Sequence, residues 1–88
     1  MTEGNIMAAE KLGEITHYFD HLKVGIVKIE KPIKVGDKIL IKGHTTDFEQ
    51  EVKEMQLDHD SIEEAKKGQE VGLKVKEHVR EGDELFTS

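Results

Sequence analysis

The sequence predicts an all-β domain: a small closed or nearly closed barrel of six to seven strands with one short helical turn. Three observations carry this expectation. The apolar residues come in short runs that alternate or are rich in β-branched side chains, as strands require. Glycine, aspartate and polar clusters punctuate those runs at short intervals. At 88 residues there is room for one domain but little area for a two-layer α/β fold, and closing a sheet on itself removes its exposed edges.

Taken in order, residues 1–10 read as a flexible N-terminal tail, and 11–88 as the single barrel domain. From Leu12 onward, Gly13, Ile15, His17 and Phe19 share one face of an extended segment, with Glu14, Thr16 and Tyr18 on the other. Leu22 to Ile29 is the second strand. Glu30 to Gly36 is a turn, because Pro32 has no N–H to give a central ladder. Ile39 and Ile41 then point one way while Lys38, Leu40 and Lys42 point the other. After the polar loop Gly43 to Asp47, Phe48, Gln50 and Val52 continue one face. Met55 and Leu57 fall out of phase with them, which a β-bulge near Lys53-Glu54 would correct. Ser61-Ile-Glu-Glu64 matches a capping box, with Gly68 placed to end a very short helix or turn. Val71, Leu73 and Val75 alternate with Gly72, Lys74 and Lys76, and Leu85-Phe86 belong to the last strand. Lys34-Val-Gly-Asp37 and Arg80-Glu-Gly-Asp83 are echoes of one another, each a corner before a strand.

Composition narrows the function. The charged share of 36% against an apolar share of 35% fits a packed domain with a heavily charged exterior. There is no cysteine, which excludes disulfides and thiolate chemistry. No apolar run approaches the roughly 20 residues of a membrane span. The N-terminus lacks a signal-peptide pattern, so the expected location is cytoplasmic. The net charge of −6 is unevenly spread. Residues 22–43 carry six lysines against Glu30 and Asp37, a balance of +4, whereas 44–88 carry six basic and thirteen acidic residues, a balance of −7.

Gly25 to Ile29, Lys34-Val-Gly-Asp37, Ile39, Ile41 and Gly43 resemble the second, β-barrel domain of elongation factor Tu and related translational GTPases. Val52, Met55, Ala65-Lys-Lys-Gly68, Val71-Gly72, Val75, Val79 and Gly82-Asp83 extend the resemblance over roughly residues 12–87. The chain is also similar to the barrel at the C-terminus of the collagenase-like peptidase family. The first resemblance implies a translation-factor-type barrel in a stand-alone elongation-factor-like protein. It brings no GTPase chemistry, because no phosphate-binding Gly-x-x-x-x-Gly-Lys-[Ser/Thr] loop is present.

Two groups of residues are binding candidates. Lys23, Lys28, Lys31 and Lys34 could contact the phosphates of folded RNA. Stacking on bases is disfavoured with one Tyr, three Phe and no Trp. His44, Thr45, Thr46 and Asp47 form the most distinctive polar loop, with hydroxyl, imidazole and carboxylate groups close together. Lys42 is expected opposite Glu49 across the hairpin. The five histidines are spread over separate segments. His17 reads as a core-rim residue, and no metal site, cofactor or catalytic set is expected. The leading expectation is a non-catalytic, translation-related binding module contacting RNA, the ribosome or a translation factor. The alternative is a protein-interaction or accessory domain that recruits a partner protein through loop 43–48 or an exposed strand edge. Neither reading involves a membrane or nucleotide hydrolysis, and the sequence sets no oligomeric state.

Overall fold

A computed structural model describes residues 10–88. The expected tail therefore lies outside the described residues except for Glu10. That residue is tied to the last strand: its N–H donates to Thr87 Oγ1 at 3.0 Å, and its carbonyl accepts the Thr87 N–H at 2.9 Å.

The described chain is all-β and barrel-like. Ten strands follow one another: β1 (Lys11–Phe19), β2 (Val24–Ile29), β3 (Ile33–Lys34), β4 (Lys38–Lys42), β5 (Asp47–Glu51), β6 (Met55–Leu57), β7 (Asp60–Ile62), β8 (Glu64–Ala65), β9 (Glu70–Lys74) and β10 (Glu84–Thr87). Eight of them form one curled sheet in the order β5-β4-β10-β1-β2-β9-β6-β7, and β3 pairs with β8 in a separate ribbon. All the pairings are antiparallel.

This corrects the expected closed barrel of six to seven strands. The curled sheet does not close through a ladder, and its edges are β5 and β7. Beside β5 the gap is crossed by one side chain. The Gln50 amide donates to the Lys74 carbonyl, and its oxygen accepts the Lys76 N–H, each at 2.9 Å. An amide carries both a donor and an acceptor, so it can stand in for a missing strand neighbour. On the ribbon side, Gly36 N–H donates to the Val52 carbonyl and Val52 N–H to the Asp37 carbonyl, both at 2.8 Å.

The inward alternation is as the sequence indicates. Ile15, Val27, Ile39, Ile41, Leu73 and Leu85 are all fully buried in one aliphatic core. Burying such side chains is the main stabilising term, at about 1.5–3 kcal/mol each.

Four local expectations are revised. First, β1 carries a bulge between Ile15 and His17, where one extra residue faces β2. The extra residue flips the alternation, so Tyr18 packs on the core while His17 and Phe19 turn outward. Second, the phase change before Met55 is an interruption of the strand between β5 and β6 rather than a bulge within one strand. Third, the turn expected over Glu30–Gly36 includes the short strand β3.

Fourth, no helix forms over 61–68. Asp58 and His59 both adopt positive φ, 53° and 71°, as a two-residue hairpin turn between twisted strands demands. That turn pairs Ser61 with Gln56, so the serine enters a ladder instead of capping a helix. Of the two readings for Gly68 the turn is the one found, and it is of the kind seen at 34–37 and 80–83. In all three turns the fourth residue's N–H reaches the first residue's carbonyl, at 3.0, 3.1 and 3.1 Å. In all three, too, a side chain at the fourth position accepts the first residue's N–H: Asp37, Gln69 and Asp83, at 2.9, 2.8 and 2.9 Å. Glycine at the third position holds φ between +90° and +101°, the mark of a type II turn. The repeat has three members, and glutamine in place of aspartate hides the middle one.

Candidate functional site

The four candidate lysines occupy different settings along the turn before β2, β2 itself and the segment leading through β3. Lys23 sits in the turn before β2, and its carbonyl accepts the Val75 N–H at 2.9 Å. Lys28 stands between Glu14 of β1 and Glu70 of β9 in the sheet register. Lys31 Nζ lies 2.7 Å from Glu10 Oε2, and Lys34 is opposite Glu64. Three of the four thus have an acidic neighbour, so the +4 balance of the segment is offset by acids from other strands. The hairpin register differs from expectation too: Lys42 faces Asp47, and Lys38 faces Glu51. The loop spans four residues, closed by Gly43 N–H to the Thr46 carbonyl at 2.8 Å, which makes Asp47 the first residue of β5.

The second candidate group also divides. His44 and Thr45 are exposed at the loop tip, Thr46 is buried and Asp47 is an exposed strand residue. Gly43 lies so near the buried Asp83 that a β-carbon there would run into its carboxylate. The loop is therefore seated on the 80–83 turn, which Asp83 itself braces.

The outer sheet surface has two characters. Around β1 and β10 it is ionic. Lys11 Nζ lies 3.1 Å from Glu84, 3.4 Å from Glu30 and 3.5 Å from Glu14. The hydrogen bond to Glu84 leads in holding the Lys11 ammonium above the usual lysine pKa range, against an opposing effect of burial. Near the β1–β2 turn, His17 pairs with Glu81 at 3.3 Å and its ring lies tilted beside that of Phe19. His78 meets the edge of the Tyr18 ring, and burial followed by the nearby Asp20 raises the Tyr18 pKa. His17 is thus an exposed paired residue and not the expected core-rim one. Among the described residues no three His, Asp or Glu side chains gather as a metal site.

Across β2, β9 and β6 the same surface carries an apolar strip among charged residues. Val24 and Ile26 face outward from β2 beside Gly72 of β9, and Leu22 and Phe19 remain 60% and 43% exposed. Sequence reasoning did not single out this groove. The available signal was β2 itself, Val-Gly-Ile-Val-Lys-Ile, a nearly continuous apolar run of the kind found where both faces of a strand are covered.

Comparison with solved structures places the fold. It matches the C-terminal domain of a Geobacillus thermoleovorans protein described as a U32 peptidase, with a TM-score of 0.83, 18% identity, and 90% of this chain and 93% of that chain covered. The selenomethionine variant of that domain gives 0.84 and 18%, covering 89% and 99%. Among curated proteins, an uncharacterized protease of Methanocaldococcus jannaschii is 39% identical over 87 residues, 96% of this chain and 21% of that protein. A collagenase of Porphyromonas gingivalis is 38% identical over 77 residues, 85% of this chain and 21% of the collagenase. The chain thus spans about a fifth of the length of the curated relatives it matches. No family model matches it.

These relatives overturn the elongation-factor resemblance and, with it, the translation-related reading. The residues behind it are mostly glycines and inward aliphatics, which carry a fold and no particular function. The second similarity, to the barrel of collagenase-like peptidases, is the one the comparisons support.

Proposed function

We propose that this chain is a non-catalytic accessory module of the U32-peptidase kind, supplying protein contacts to a separate catalytic body. The observation that carries the reading is the 39% identity to a segment forming about a fifth of a larger protease. The conserved-fold match to a peptidase's C-terminal domain points the same way. Two of the buried polar side chains have structural uses that suit a non-catalytic module: Gln50 bridges strands and Asp83 braces a turn. The exposed apolar groove suits a surface that is covered in an assembly.

The test is a graft. The Porphyromonas collagenase loses its matching segment, and this chain is inserted in its place. Recovery of collagen hydrolysis that the deletion abolishes, with none from this chain alone, supports the reading. Hydrolysis by the isolated chain, or a graft as inactive as the deletion although folded, would contradict it.

A further inference from the structure

We infer that the outer groove over Gly72 is a docking site for a partner-protein segment that presents an aliphatic or aromatic side chain flanked by lysine or arginine. This rests on the protein-contact reading above and adds where the contact lies and what chemistry it takes. Two depressions of about 200 and 310 Å³ share Leu22, Val24, Gln56 and Gly72 in their walls, so they form one groove.

Its floor is open because residue 72 has no side chain. A β-carbon there would lie 3.2 Å from Val24 Cγ1 and 3.8 Å from both the Gln56 carbonyl oxygen and Ile26 Cδ1. Gly72 is not among the glycines with positive φ, so no turn explains it. A glycine inside a strand weakens the strand, and its usual structural use is to admit another group close to the backbone. The apolar walls are Val24 and Ile26, extended by the exposed Leu22 and Phe19.

Charge selects the occupant. Glu54, Asp58 and Glu70 line the groove with one ammonium, Lys74, and the imidazole of His59, and Glu70 also faces Lys28 in the ladder. That ammonium is already turned onto the Leu22 carbonyl at 3.2 Å. An apolar side chain arriving with acidic neighbours would meet like charge, whereas basic neighbours would meet opposite charge. A second copy of this chain, itself acidic at −6 overall, is the poorer match.

The probes are short synthetic peptides with a central leucine or phenylalanine, flanked either by lysine and arginine or by glutamate. They are titrated into the isotope-labelled chain and followed by amide shifts. The basic-flanked peptides should bind saturably, with shifts centred on Leu22, Val24, Ile26 and Gly72, and tighter than the acidic ones. Leu22→Ser, at an exposed turn, should weaken binding about tenfold, the scale expected for losing one buried leucine contact. Gly72→Ala, which fills the floor, should weaken it as well. Equal binding of acidic-flanked peptides, shifts on another face, or no saturable binding would overturn the inference. So would concentration-dependent self-association through these residues without peptide. The graft keeps the two readings apart. An active graft that is indifferent to Leu22→Ser removes the groove but leaves the module. An inactive graft beside intact peptide binding does the reverse.

Discussion

The two halves of the sheet have the same inner face and different outer ones. Under both lies one layer of buried Ile, Val and Leu. Outside β1 and β10, Lys11 is ringed by three carboxylates, a surface that water can satisfy. Outside β2, β9 and β6, Val24, Ile26 and the bare backbone of Gly72 face outward with Leu22 and Phe19 beside them. The inner face accounts for the fold and is nearly silent about function. The contrast between the outer faces is what distinguishes a solvated wall from a contact surface.

The contrast can be sharpened by substitution. Leu73→Ala, on the inner face of β9, should cost about 2–5 kcal/mol, enough to unfold much of a domain this small. Leu22→Ser, on the outer side, should stay within about 0.5 kcal/mol. Urea denaturation of both variants measures the difference, and equal effects would erase the distinction. Gln50→Ala comes next. Removing the amide leaves the Lys74 carbonyl and Lys76 N–H without their partner, an expected loss of about 1–3 kcal/mol in the same assay.

Lys11→Met should change stability by less than either buried substitution, and added salt should shrink the difference, because ions screen such a cluster. The smallest effect concerns Tyr18, the one tyrosine of a chain without tryptophan. Burial raises its pKa, so the neutral phenol is favoured in the folded state. Its contribution to stability is complete below the unfolded phenol value and is lost as pH rises through the higher folded one. Absorbance titration of the native protein should therefore have its midpoint above that of the urea-unfolded chain. A midpoint at or below it would refute the burial.

The legible parts of this molecule were those governed by period and turn chemistry. Ile39 and Ile41, Val71 and Leu73, and the two Gly-Asp corners carry their structure in local residue order. The flipped half of β1 was not legible, since the bulge at Thr16 is set by pairing with β2 rather than by its own residues. Ser61 reads as a helix cap only until the Asp58-His59 turn folds it against Gln56. The acidic neighbours of the candidate lysines were hidden for a related reason. Linear charge balance cannot see Glu14, Glu64 and Glu70 arriving from other strands. Gly72 and Val24 were visible as residues but not as neighbours, and neighbourhood is what makes the groove.

The most direct test compares methyl spectra of the Leu, Ile and Val side chains in the isolated chain and in the collagenase graft. The account predicts that Leu22, Val24 and Ile26 move while Leu40, outside β4, stays in place. Movement at Leu40 with the groove methyls unchanged, or no movement anywhere in an active graft, would contradict it.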